Sequence, residues 1–224
     1  MVGSFTTIPK VRLAMLIGFV QTYTAPLLKR HGFKKKDLTW NRSKDGLIQV
    51  INFQPSRFSR DDEISFTINL GEFNPFIWRN CWAKESPKFI REEDCFPRIR
   101  IGQLLSSTPG EAVDQWWTCH ESTNGEVLGS EINKVLEEKC LKFLDDMLNC
   151  EQVARFYSSH FNHLMPIEKI YLAITKSCLG DIHSSHDLLD EVGTISVAWA
   201  NRVEQVRSQL RSENGHISQR GNGG

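Results

Sequence analysis

The chain has 224 residues, 40% of them apolar and 24% charged, a balance typical of a globular protein large enough to bury a core without disulfide or metal staples. Lysine plus arginine and aspartate plus glutamate both number 27. Zero net charge argues against bulk electrostatic attraction to nucleic acid or to an anionic membrane and leaves only local basic patches.

The N-terminal segment places Lys10 and Arg12 before the apolar run from Leu13 to Val20. This faintly resembles a signal peptide. The run is short, however, and bulky Tyr23 stands where cleavage prefers a small residue. The pattern continues through Leu27 and Leu28 to Lys29-Arg30-His31-Gly32, basic residues and a glycine that close a helix. A helix over about Val11 to His31, kinked at Pro26, is therefore expected. No apolar run reaches the length of a membrane span.

Three strands are predicted next. Leu38 to Arg42 ends at Asp45-Gly46, a hairpin signal because glycine supplies a positive φ. Leu47 to Gln54 is apolar on both faces, with Leu47, Ile51 and Phe53 on one and Ile48 and Val50 on the other, which marks a central strand. From Glu63 to Gly71, Ile64, Phe66, Ile68 and Leu70 alternate with Ser65, Thr67 and Asn69, the pattern of a half-buried antiparallel strand. Phe73 to Phe96 is an aromatic-rich excursion carrying Trp78 and Trp82. Pro97 to Leu104 is expected to resume the sheet with Ile99 and Ile101 inward, and Asp114 to His120 to end it.

Helical periodicity takes over from about Leu128, with a break near Cys140 or Asn149. Pro166 opens a helix that Gly180 closes, Ser184 or Ser185 is expected to cap the next, and the last runs from about Thr194 to Glu213. Residues 214–224 are polar and glycine-rich and are expected to be disordered. Strands segregated from helices define an α+β class: an antiparallel sheet of about five strands, an N-terminal helix and a helical C-terminal half. The expected division is an α+β domain over 1–150, a helical extension over 151–213 and the tail.

Several segments together resemble the bacterial family called domain of unknown function 4304. They are His31-Gly32-Phe33-Lys34-Lys35-Lys36, Leu47 to Gln54, Phe66 to Gly71, Cys95, Arg98-Ile99-Arg100-Ile101-Gly102 and Asp114-Gln115-Trp116-Trp117. The resemblance covers roughly Leu16 to Phe156. It implies a fold, but no reaction, cofactor or catalytic residue.

The candidate site is the polar face of the sheet. Thr67 and Asn69 leave their strand opposite Ile68, and Arg98 and Arg100 leave theirs opposite Ile99. If the two strands pair in register, the four share a face, joined by Asp114 and by one of Trp116 and Trp117, since neighbours on a strand point apart. Two guanidiniums beside an indole suit a carboxylate, a phosphate or an acidic partner. The competing reading is a solvated face whose arginines pair with Asp114 and stack on tryptophan. Lys34-Lys35-Lys36, with Arg30, His31, Arg57 and Arg60 nearby, reads as helix C-terminal charge and solubility rather than as an RNA contact.

His160/His163 and His183/His186 have metal-compatible i, i+3 spacing, but one pair lies at a helix end and the other across a cap signal, and the zincin Glu is missing. The six cysteines contain no C-x-x-C pair and read as free thiols of a reducing compartment. Cys95 or Cys119 with His120 is a weak nucleophile pair, since Cys119 and His120 face apart on one strand. No G-x-S-x-G, P-loop or G-x-G-x-x-G occurs. The expectation is a cytoplasmic binding or protein-interaction domain with no cofactor and no metal, whose partner is another protein or a small anionic ligand. The alternative is an enzyme acting on a phosphate-bearing or nucleotide substrate, with Arg98 and Arg100 as anion clamps.

Overall fold

The computed structural model describes residues 10–59, 62–108, 111–160 and 164–220. The chain divides into two compact units, one formed by 1–72 and 89–146 and the other by 73–88 and 147–224.

The first unit opens with helix α1 (Lys10–Phe19), a π-helical turn (Val20–Thr24) and helix α2 (Ala25–Arg30). Pro26 cannot donate a backbone hydrogen bond. The widened turn before it, closed by Ala25 N–H onto Val20 O, sets the proline in the opening turn of α2 instead of breaking the helix. The stretch Lys10–Arg30 is long and apolar enough, by length and composition, to cross a membrane, which corrects the expectation that no run has that length. Leu16, Phe19, Val20, Leu27 and Leu28 are nevertheless buried, and Phe19 packs on Phe66 of the sheet with ring centroids 5.9 Å apart.

The sheet has strands β1 (Lys34–Lys36), β2 (Thr39–Lys44), β3 (Leu47–Pro55), β4 (Glu63–Phe73), β5 (Arg98–Arg100) and β6 (Trp117–His120). The order is β1-β2-β3-β4-β5, and β6 also pairs with β4. Strands β5 and β6 lie end to end along one edge of β4, at Asn69 to Gly71 and at Glu63 to Phe66. The β2–β3 hairpin turns at Asp45 and Gly46, both at positive φ (50° and 80°), the combination that matches the twist of antiparallel strands.

One face of the sheet carries Trp40, Ile51, Phe53, Phe66, Ile68, Leu70 and Trp117, all buried. It packs under the N-terminal helices and under helix α5 (Gly125–Val135), a second π-helical turn (Leu136–Cys140) and helix α6 (Leu141–Asp146), which bury Ile132, Leu136, Cys140 and Leu144. Each fully buried Phe or Ile here contributes roughly 1.5–3 kcal/mol. The other face is not open along β4. The segment from Phe89, with a 3₁₀ turn at Glu92–Asp94, lies over it, and Asn41 exchanges two hydrogen bonds with the Ile90 backbone (3.0 and 3.1 Å). Val50, Thr67 and Asn69 on this face are also buried, so β4 is covered on both sides, where alternation alone predicts a half-buried strand.

Beyond Arg100 the chain turns helical (α4, Ile101–Leu105) rather than extending as a strand to Leu104. The Gln103 side chain accepts the Arg100 backbone N–H at 2.8 Å, which starts the helix there.

The second unit is helical. Helix α3 (Pro75–Trp82) occupies part of the stretch expected to be an excursion. The Asn74 side chain accepts from Phe76 and Ile77 N–H (2.9 and 3.4 Å), Pro75 takes the first turn, and Ala83 in the left-handed region (φ 50°) closes the helix. It is joined by α7 (Cys150–His160), α8 (Pro166–Cys178), α9 (Ile182–Gly193) and α10 (Val197–Arg220). Trp82 donates to the Tyr171 hydroxyl (3.0 Å), and the Arg202 guanidinium lies 4.5 Å over the Trp82 ring while donating to Cys81 O (3.1 Å). Asp181, not Ser184 or Ser185, caps α9: its carboxylate accepts Ser184 N–H at 3.2 Å, and Ser185 sits inside the helix, buried. Helix α10 extends to Arg220, beyond the end predicted at Glu213.

Candidate functional site

Strand β5 is short, and its arginines face away from the core because Ile99 between them is buried. Register places Arg100 opposite Asn69 and Arg98 opposite Gly71, so Arg98, Arg100 and Asn69 share one face as expected. Of the tryptophan pair, Trp116 joins that face. The Arg100 guanidinium lies 5.4 Å over the Trp116 ring, and the indole N–H is held by Asp114 at 2.6 Å. Arg100 also donates to Gln54 Oε1 at 3.4 Å, and the same oxygen accepts from Asn69 at 2.7 Å.

Three of the expected site residues do not reach the surface. Thr67 is fully buried, with its hydroxyl unpartnered among the described residues, and Asn69 is 4% exposed and spends its amide on Gln54 and Asn52. Trp117 turns into the core, packs on Phe66 at 6.1 Å and donates to Glu131 at 2.8 Å. Asn69 is tied down by the side chains of the neighbouring strand, and strand alternation turns Trp117 inward. Of the expected residues, Arg98, Arg100 and Asp114 are exposed and Trp116 is half-buried.

Arg98 contacts Glu92 at 3.3 Å. Burial, reinforced by Glu93 beside it, pushes the Glu92 carboxyl up to about 7. Sequence reasoning missed Glu92, because the turn that carries it lies in a stretch read only as an aromatic-rich excursion.

A second polar cluster, also unforeseen, lies beneath α6 on the core face, with Gln49 and Glu72 buried and Asp145 at its exposed rim. Arg42 Nε donates to Gln49 Oε1 (2.7 Å), Gln49 donates to Leu144 O (2.7 Å) and Asp145 (3.3 Å), and Asp145 pairs with Arg42 and Lys44 (2.7 and 2.9 Å). Glu72, 1% exposed, ends this row. Burial drives its carboxyl up to about 8, and nearby Asp145 adds to the rise. Gln49, Arg42 and Lys44 offset part of that cost. The Gln49 amide is committed elsewhere, so neither Glu72 oxygen accepts a bond of ordinary length. The sequence signal was a Glu on the same parity as Ile64 to Leu70.

Among the described residues no group of three His, Cys, Asp or Glu side chains is placed to hold a metal. His183 pairs with Asp187 at 3.6 Å in an exposed first turn; of the other pair, His163 lies outside the described residues. Burial raises the Cys95 thiol well above its usual range and lifts Cys119 to about 11, so neither is a ready thiolate. His120 is exposed and bonds to Ser122 at 2.7 Å. Lys34 to Lys36 form exposed β1, and Arg60 lies outside the described residues.

A groove of about 480 Å³ lies between Tyr23 and α5. Arg30 and His31 reach Glu137 across it at 4.0 Å each, and Asn133 donates to Tyr23 O at 2.9 Å.

The first unit is thus a mixed domain in which helices cover one face of an antiparallel sheet and an edge strand carries paired arginines. The family model for Domain of unknown function (DUF4304) matches residues 24–146, and the chain belongs to that family. No curated protein and no solved structure matches it.

Proposed function

We propose that the protein is a binding domain without catalysis, and that Arg98 and Arg100, beside the Trp116 indole that Asp114 holds in place, receive an acidic partner protein or a small anionic ligand. The observation that carries this reading is the stacked pair: two exposed guanidiniums on one short strand, one of them held over an indole. Stacking fixes the plane of Arg100, whose described bond to Gln54 is long at 3.4 Å, and a preoriented guanidinium loses less entropy when it meets a carboxylate or phosphate. Four free thiols buried within the chain support a reducing, cytoplasmic setting.

The enzymatic alternative draws on one observation. Glu92, raised to about 7 beside Arg98, has the acidity of a general acid or base at neutral pH. Affinity capture from the native cell separates the two readings when wild type is run beside R98A/R100A and E92Q. The binding reading expects a partner that the arginine double variant loses and E92Q keeps. Equal retention by wild type and R98A/R100A, with both melting at the same temperature, overturns it. Loss of a substrate turnover in E92Q with binding intact favours the enzyme.

A further inference from the structure

No acidic residue occurs before Asp37, although the whole chain is neutral. From Leu13 to Leu28 there is no charged residue of either sign. A helix on the surface of a globular protein ordinarily turns a charged face to water. Here Val11, Ala14 and Gly18, spaced i, i+3 and i+7, share the outer face of α1 and are exposed, Val11 at 77%. Only 39% of the most apolar stretch of Lys10–Arg30 is buried.

A second element brings its own apolar tip to the same end. Phe58, in the connection from β3 to β4, is 94% exposed. Ser56 N–H donates to Ser65 O (2.7 Å), Phe58 N–H to the Ser56 hydroxyl (3.1 Å) and Ser65 N–H to the Ser59 hydroxyl (2.9 Å). Arg12 of α1 donates to Ser59 O at 2.6 Å, so the connection is tied to the first turn of α1 and Phe58 projects beside it. Each tip follows a cation in sequence, Lys10 before Val11 and Arg57 before Phe58. Both cations are exposed and make no ion pair among the described residues. Lys29, at the far end of the uncharged stretch, is also exposed without an ion pair among the described residues, whereas Arg30 lies 4.0 Å from Glu137. Asp62 and Glu63 follow in the same connection as Phe58 and offset part of this charge.

Projecting apolar tips with cationic shoulders suit a deformable apolar layer beneath anionic headgroups, where the ring and methyl groups enter and the long cationic side chains stay at headgroup level. A second copy of the chain would bring the same cations against these and be repelled. We infer that this end of the first unit is a peripheral contact for an anionic lipid surface, with Phe58 and Val11 entering the acyl boundary and Lys10 and Arg57 among the headgroups. Neither signal is strong alone, and reversible binding needs both. The patch lies at the Ser65 end of β4, whereas β5 pairs at Asn69 to Gly71, so this contact and the arginine face stand or fall separately.

The test is co-sedimentation of the full chain with vesicles of phosphatidylcholine alone or mixed with phosphatidylserine, alongside F58S and K10E/R57E. All three positions are exposed, so both variants should melt within a few degrees of wild type. The expected result is that wild type pellets with the mixed vesicles and not with phosphatidylcholine alone. F58S should weaken that partition about tenfold or more, the loss of one buried aromatic side chain. K10E/R57E should weaken it at least as much and reduce its salt dependence. Absence of pelleting with the mixed vesicles, equal pelleting by wild type and F58S, or equal pelleting on both vesicle types overturns the assignment. Sedimentation velocity without lipid covers the other occupant: a wild-type dimer that F58S converts to a monomer gives the patch to a second copy and overturns the lipid reading.

Discussion

Replacing Glu72 with glutamine tests the buried cluster under α6. Glu72 is 1% exposed, and its carboxyl titrates at about 8 instead of the ordinary 4.5. A folded-state value above the unfolded one means the native protein holds the proton more tightly. The contribution is therefore fully present below about 4.5, declines as the unfolded chain ionises, and is lost by about 8, where both states carry the charge. At about 1.4 kcal/mol per pH unit, the whole decline is of order 4–5 kcal/mol, and about 3 kcal/mol of it has been lost by pH 7. Glutamine is nearly isosteric and never ionises. E72Q should match wild type near pH 4.5 and exceed it by about 3 kcal/mol at pH 7 and more at pH 9. Urea unfolding at the three pH values, with both proteins under identical conditions, reads the difference directly. Asp145, Arg42 and Lys44 also face this residue, but they are common to both proteins and drop out of the comparison. Parallel pH profiles, or an E72Q that is less stable at pH 9, would refute the reasoning.

Other expected outcomes concern single positions. A Cβ on Gly102 would lie 1.8 Å from Val113 O, a backbone atom that cannot turn aside, so G102A should lose about 3 kcal/mol or more by thermal melting. R98A/R100A should melt within a few degrees of wild type, since exposed pairs contribute roughly 0–1 kcal/mol; a much larger drop would make the arginines structural. Native labelling with a maleimide at neutral pH should modify exposed Cys178 quickly and spare Cys81, Cys95, Cys119 and Cys140, and C178S should remove the fast phase. Trp82→Phe keeps the ring that Arg202 covers but loses the bond to the Tyr171 hydroxyl, for an expected cost of about 1 kcal/mol in urea unfolding.

Much of the sheet was legible because its signals are local. Asp45-Gly46 sets the β2–β3 register by itself, and the alternation from Ile64 to Leu70 names the core face without further context. Shared residence of Arg98, Arg100 and Asn69 followed from parity plus pairing. What parity cannot report is what lies above a face. Thr67 and Asn69 have the composition of an open surface yet are buried, and Asn69 spends its amide on Asn52 and Gln54, residues more than a dozen positions away in sequence. Arg98-Ile99-Arg100-Ile101 reads as a strand to its end, but one side chain, Gln103, ends it early. Helix α3 was hidden by its aromatics, although Asn74-Pro75 carries a cap and first-turn signal that local reading can recover. Buried Ser185 and Glu72 had no sequence mark beyond polar residues at apolar positions of a periodic stripe, and only packing distinguishes them from solvated ones.

The segment 73–88 leaves the sheet unit from the end of β4, supplies α3 to the helical unit, and returns before β5. The chain therefore crosses between its two cores three times, after 72, 88 and 146. The family match stops at 146, as though the remainder were a detachable tail. It is not severable in that sense. A fragment beginning at 147 would lack the helix bearing Trp78 and Trp82, and a fragment ending at 146 would carry that helix with its partners Tyr171 and Arg202 missing. Neither half of the polypeptide is a complete module, so the helical part is interleaved with the family domain in covalent order and inherits its boundaries.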